Sequence, residues 1–219
     1  MKIIILLTLI FLTSCSSLTL NNIAPGYIEA FTAIKSLIIV DKENKDITKD
    51  LIDKIPYASS LISIGKGKNA LMILESSLNG EHTWVTQDGV YIVTRDGKII
   101  KTAGLKNNLI DFVTPSINYK TLKKNESFSY FTYLSYDKPS LSNLKLRSTI
   151  TLRDKETVSL FMQEKELFLI EERIENVYLG WSELNKYWVD KDFYVWKSIQ
   201  HTSPKLPPFY IEITKKPAE

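Results

Sequence analysis

The sequence predicts an all-β chain with one or two short N-terminal helices, its strands forming an antiparallel meander that closes into a barrel or barrel-like sandwich. Three observations carry this. From residue 57 onward, short runs rich in Ile, Val, Tyr, Thr and Phe alternate with turn signals. Two Asp-Gly pairs, Asp88-Gly89 and Asp96-Gly97, sit between alternating runs and mark consecutive tight hairpins, because a type I′ turn needs positive φ at both central residues. The hairpins they define are partly apolar on both faces, so each face needs partial cover, and a closed or nearly closed barrel gives it without leaving an exposed edge.

The elements follow in order. Pro25-Gly26 breaks the chain, and Ile28, Phe31, Ile34 and Leu37 then recur at helical spacing over 27–37. Residues 38–40 fit the start of a strand. Thr48 is placed to N-cap a brief helix that stops before Pro56, with Leu51, Ile52 and Ile55 inward. Strands are expected over 57–64, 69–77, 82–87, 90–95, 98–103, 109–114, 127–136, 144–153, 157–163, 167–178, 186–189, 194–201 and 209–214. The Glu-rich middle of 167–178 is also compatible with a helix. If both Asp-Gly loops are two residues long, Gln87 pairs with Val90 and Arg95 with Lys98. Trp84, Val93 and Ile100 then form one cross-strand row, and Val85, Ile92 and Lys101 the other.

The first residues read as an address. Met1-Lys2 is a short basic start, 3–11 is apolar apart from Thr8, and Leu12-Thr13-Ser14-Cys15 is a small-residue cleavage region. The apolar run falls short of the roughly 20 residues that a membrane span requires. Leu-Thr-Ser-Cys resembles a bacterial lipobox. Cys15 is the one cysteine in the sequence, so no internal disulfide can use it, and lipidation gives the thiol a purpose. The expected organisation is therefore a removed signal peptide over 1–14, a lipidated Cys15 with a polar tether over 15–24, and a single β-barrel-like domain over 25–219. One acyl chain anchors only marginally, and a lipoprotein N-terminus carries more than one. Ser16 follows Cys15 where an inner-membrane retention signal would have Asp, so the expected location is the periplasmic side of the outer membrane.

The formal charge of +3 comes from 28 basic and 25 acidic residues that are interspersed, which gives nucleic-acid binding no electrostatic support. Two histidines, His82 and His201, and no free cysteine leave metal chemistry without ligands at the right spacing. No Gly-x-Ser-x-Gly nucleophile turn is present. Gly65-x-Gly67 precedes an apolar strand, so it reads as a turn rather than a phosphate cradle, which needs a following helix. Glu171 and Glu172 fall on opposite faces of a strand and cannot converge on one glycosidic bond. Glu164, Glu166 and Asp190 read as surface charges. No cofactor is implied. Trp84, Trp188, Trp196 and Tyr187 are the candidates for stacking on sugar rings, with core packing as the competing reading of each. Tyr187 and Trp188 must point to opposite faces of one strand.

Several stretches resemble one family in order and spacing. They are Ile-Pro-Tyr-Ala-Ser at 55–59, Trp-Val-Thr-Gln-Asp-Gly at 84–89, Val-Thr-Arg-Asp-Gly-Lys at 93–98 and Thr-Ala-Gly-Leu at 102–105 with Asn108-Leu109. Towards the C-terminus come Tyr-Trp-Val-Asp at 187–190, Val-Trp-Lys-Ser at 195–198 with Gln200, Ser203-Pro204, Pro208, and Lys216-Pro217. Together with the lipobox these look like the YjbF/GfcB lipoproteins. The resemblance implies a barrel-like antiparallel fold, attachment to the outer membrane, and non-enzymatic work beside an outer-membrane polysaccharide-export protein in group 4 capsule or exopolysaccharide secretion. The chain is then expected to bind that partner protein, the polysaccharide, or both. It brings no catalytic residues. The pattern departs where a Gly is expected after Trp188-Val189-Asp190, since Lys191-Asp192-Phe193 fills that turn. The alternative reading is a periplasmic carrier that shelters a lipid or acyl chain inside its barrel.

Overall fold

The computed structural model describes residues 47–218, so the anticipated signal peptide, Cys15 with its tether, the 27–37 helix and the 38–40 strand start lie outside the described residues. A short helix α1 (Lys49–Lys54) leads into twelve strands. These are β1 (Ser59–Ile64), β2 (Ala70–Leu78), β3 (Glu81–Thr86), β4 (Tyr91–Arg95), β5 (Lys98–Ala103), β6 (Leu109–Val113), β7 (Ser127–Tyr136), β8 (Leu141–Ser159), β9 (Glu164–Asn176), β10 (Trp181–Val189), β11 (Val195–Gln200) and β12 (Phe209–Lys215). All are antiparallel, and each pairs with its sequence neighbours, with β12 returning to β1. Only β5 and β6 lack a ladder. They lie against each other all the same, and the Leu109 amide donates to Thr102 Oγ1 across the seam at 2.9 Å. The result is a nearly closed barrel.

Alternation fills it. Ile62, Met72, Trp84, Ile92, Leu134, Leu146, Ile174, Phe209 and Ile211 point inward and form the main core. Outside, α1 packs on β2. Thr48 Oγ1 accepts from the Leu51 amide at 3.2 Å as the N-cap. Ile52 and Ile55 are wholly buried against Ile73, which contributes about 1.5–3 kcal/mol each. Lys215 Nζ donates to the carbonyls of Ile52 and Ile55, so the helix C-terminus is tied to the end of β12.

The two Asp-Gly turns differ. Asp96 and Gly97 take φ of +50° and +75°, and Arg95 pairs with Lys98 as the two-residue loop requires. At the first turn only Gly89 is left-handed, at φ +83°. The Gly89 amide donates to the Thr86 carbonyl, and Thr86 faces Val90 across a three-residue loop. The Thr86 hydroxyl, bonded to Asp88 and to the Val90 amide, holds this wider turn. That slip corrects the expected rows. Trp84 opposes Ile92 and Val85 opposes Tyr91, and a bulge in β5 leaves Ile100 unpaired while Val93 faces Lys101. A one-residue change in register moves every partner to the other face.

Two expected strands, 144–153 and 157–163, are one continuous β8. The charged run Arg153 to Glu156 that suggested a break is a bulge on the exposed face. The Glu-rich segment is a strand, not a helix, and β10 begins at Trp181, five residues earlier than the apolar pattern suggested. For the carrier reading, the cavity between Leu134, Leu146, Glu172 and Gln200 is about 20 Å³, room for about one water and not for an acyl chain. Larger clefts of about 190 Å³ beside Lys98 and Ile100 and about 360 Å³ beside Trp84, Thr94 and Ile213 open toward the end of the barrel that carries 96–97.

Candidate functional site

The barrel interior holds a charge that the sequence did not advertise. Glu172 lies on β9 between Ile170 and Ile174, so strand alternation turns it inward onto the apolar face, while Glu171 turns out to meet Arg153 at 2.8 Å. Lys98, just after the Asp96-Gly97 turn, reaches in from β5. Its Nζ is 2.7 Å from Glu172 Oε1 and also donates to Tyr130 Oη at 2.7 Å. Tyr130 donates to the same carboxylate oxygen at 2.5 Å, and Tyr187 donates to Oε2 at 2.9 Å. Lys98 and Glu172 side chains keep only 7% and 4% of their surface, so this is a buried ion pair in a shell of tyrosines. The 3-10 turn Tyr119–Thr121 in the β6–β7 loop adds Tyr119, whose ring centre lies 6.0 Å from the ammonium.

Burial works against both charges, and the pair resists it. Desolvation alone would lower Lys98, but the Glu172 carboxylate and the surrounding tyrosines hold its ammonium well above the ordinary lysine value. Desolvation would raise Glu172, but Lys98 and the hydrogen bonds from Lys98, Tyr130 and Tyr187 keep it below the ordinary carboxylate value. Desolvation first, then the Glu172 charge, drives Tyr187 well up. Lys98 therefore offers no lone pair for nucleophilic attack, and Glu172 is an ionised, saturated acceptor sealed from solvent. The cluster spans the seam: it ties β5 to β7, β9 and β10 where the ladder is missing. Gln200 does the same from β11, accepting from the Ile99 amide and donating to the Gly97 carbonyl, each at 2.9 Å. Asn107 and Ser203 join the opposite end. These polar ties satisfy backbone groups that an open sheet edge would leave unpaired.

The aromatics picked from sequence separate accordingly. Trp84 is 2% exposed and donates to Thr94 at 3.1 Å inside the barrel, and Tyr187 belongs to the interior cluster. Neither ring can reach a polymer in the folded barrel, so both are corrections to the stacking assignment. Trp188 and Trp196 are half-buried on the outside, packed against Val158, Leu160 and Leu167. Trp188 donates to Glu156, and Trp196, the extra residue of a bulge in β11, lies under Lys165 Nζ at 4.1 Å. Asp190 is more than a surface charge. It accepts from the Asp192 and Tyr194 amides at 2.9 and 3.0 Å and from Trp196 Nε1 at 2.9 Å. Its turn places Phe193 at φ +65°, a conformation that a Gly in this loop would take without strain.

The aromatic rings that do face outward are others. Phe131 and Tyr133 project from β7 beside Val113 of β6, half-exposed, with Lys145 Nζ 3.9 Å from the Phe131 ring centre. Period-2 alternation in Phe-Ser-Tyr-Phe-Thr-Tyr at 128–133 carried that signal, since Tyr130 is buried while Phe131 is not. Among the described residues, no three His, Cys, Asp or Glu side chains converge as a metal site would need.

Residues 31–215 match the family model described as group 4 capsule polysaccharide lipoprotein GfcB, YjbF. The lipoprotein YjbF of Escherichia coli K12, itself called uncharacterized, is 25% identical over 160 residues, 71% of this chain and 74% of that one. Lipoprotein GfcB of the same strain is 23% identical over 154 residues, 68% of this chain and 72% of that one. The crystal structure of the hypothetical lipoprotein YmcC from Escherichia coli K12 superimposes with a TM-score of 0.72 at 20% identity, covering 87% of this chain and 96% of that one, which establishes the shared fold. This chain belongs to the YjbF/GfcB family of group 4 capsule polysaccharide lipoproteins.

Proposed function

We propose that this chain is an outer-membrane lipoprotein, held by lipid on Cys15 with its body on the periplasmic side. It serves capsule or exopolysaccharide secretion as a non-enzymatic accessory that binds an export protein, the glycan, or both. The observation that carries this reading is the family match across 31–215. The Leu12-Thr13-Ser14-Cys15 motif supports the anchor. The chemistry of the interior supports a role without catalysis: its most perturbed groups, Lys98 and Glu172, neutralise each other out of reach of substrate. The exposed rings of Phe131 and Tyr133, with Lys145 beside them, suit contact with a glycan or an aromatic-seeking partner.

Deleting the gene and measuring surface polysaccharide tests the proposal. Export should fall, wild type should restore it, and Cys15→Ala should restore it poorly. Unchanged export after deletion would remove the role. Full rescue by Cys15→Ala would remove the anchor from it.

A further inference from the structure

Antiparallel alternation sorts the turns into two rims. One rim carries the loops at 65–69, 87–90, 104–108, 137–140, 177–180 and 201–208. The other carries 79–80, 96–97, 114–126, 160–163 and 190–194, and α1 packs beside it through Phe161 and Met162. The two rims are chemically unlike. The second is balanced, with four lysines and four acidic residues in its turns. The first has Lys66, Lys68, Lys106, Lys138 and Lys205 against two aspartates, and both aspartates are engaged within the rim, Asp88 by the Thr86 hydroxyl and Asp137 by Asn108 of the neighbouring loop. All five lysines are exposed, and none is in an ion pair among the described residues. From the midst of this basic rim the β9–β10 hairpin presents Val177, Tyr178 and Leu179 at 88%, 97% and 52% exposure.

Three consecutive apolar residues at a hairpin tip cannot pack on their own barrel. Asn176 fixes the turn beneath them, accepting from the Leu179 amide at 2.8 Å and donating to the Lys145 carbonyl at 2.9 Å, so the tip is rigidly held out. Valine and leucine offer nothing to a sugar, whereas aliphatic side chains with a tyrosine at their centre match the boundary between headgroups and acyl chains. A ring of unpaired lysines around them matches anionic headgroups. We propose that this rim docks onto an anionic phospholipid bilayer, with Val177, Tyr178 and Leu179 inserted at the interface and the lysines on headgroup phosphates. The inserted residues belong to the barrel itself, so this is a second membrane contact, separate from the lipid proposed on Cys15.

The test uses the full lipoprotein reconstituted in vesicles. Tyr178→Cys introduces a thiol for an environment-sensitive nitrobenzoxadiazole label, and Lys191→Cys places the same label on the opposite rim. Labelling of unsubstituted protein reports separately whether Cys15 is blocked, so failure of the anchor is distinguished from failure of the docking. In phosphatidylcholine vesicles containing phosphatidylglycerol, the label at 178 should shift to the blue and be quenched by nitroxide lipids, while the label at 191 stays aqueous. About 1 M salt, which screens charge within roughly 3 Å, should reverse the shift. Lys138→Gln with Lys205→Gln should lower the docking equilibrium constant by about 25-fold, at about fivefold for each lysine lost. A label at 178 that stays aqueous on anionic vesicles overturns the proposal. So does equal quenching at both rims, or burial of the label only when exported polysaccharide is added, which would assign the rim to glycan.

Discussion

Replacing Lys98 with Met leaves the Glu172 carboxylate in the middle of the barrel with only the Tyr130 and Tyr187 hydroxyls, and a weak contact from Asn185, to hold it. Removing one partner of a buried pair costs about 3–5 kcal/mol, because the charge left behind loses its counterion and cannot return to water. For a chain of this size that lowers Tm by roughly 6–20 °C. Glu172→Gln should cost a similar amount by stranding the ammonium. The double variant, Lys98→Met with Glu172→Gln, has no buried charge and keeps an amide oxygen for one tyrosine. It should be at least about 2 kcal/mol more stable than the sum of the single changes implies. Urea unfolding followed by the fluorescence of buried Trp84 and Trp181 measures all three. Glu172 is lowered from its ordinary 4.5 and Lys98 raised above its ordinary 10.5. The contribution should therefore be full between those values, lost in acid as pH falls through the folded-state value of Glu172, and lost in base as pH rises through that of Lys98. Because the pair bridges the ladder-free seam, amide exchange in β5 and β6 should accelerate more than in β1 and β12. A Lys98→Met variant within about 1 kcal/mol of wild type, or strictly additive changes, would refute the idea that this pair staples the barrel.

Other expectations follow from single positions. Gly97→Ala should destabilise by about 2 kcal/mol or more, since φ there is +75° and an added Cβ would fall 2.3 Å from Val195 Cγ2; a urea midpoint equal to wild type would contradict it. Asp190→Ala removes the acceptor of two loop amides and the Trp196 indole, and should cost about 2–3 kcal/mol with a shift in tryptophan emission. Trp84→Ala should cost about 3–5 kcal/mol as a core cavity, and a functional loss without loss of stability would return Trp84 to the list of binding residues. His201 is lowered chiefly by burial, against the opposing pull of Glu183, and His82 chiefly by burial, against Asp96. The unfolded chain then binds more protons below its ordinary 6.5, so stability should fall between pH 7 and 5, and substituting both histidines with Gln should flatten that slope.

Local chemistry was legible in the order of residues. Thr48 and Pro56 bound α1, Ser127 to Tyr136 alternates as β7 does, and Asp96-Gly97 fixes its hairpin, because capping, pleat and positive φ are decided within a few residues. The same reach carried the resemblance, which rests on turns and short strand motifs. What required the folded chain is everything that depends on partners far along it. The Thr86 hydroxyl widened a loop that Asp88-Gly89 alone left as two residues, and so set the rows of β3 and β4. Alternation could put Glu172 on an apolar face, but only closure of twelve strands brings Lys98 to it, 74 residues away, and turns a charge that burial would penalise into one that holds the seam. Burial likewise separated the aromatics: alternation sends Tyr130 and Phe131 to opposite faces, but which of the two faces is the core depends on where the barrel wall runs, which is a property of the closed sheet.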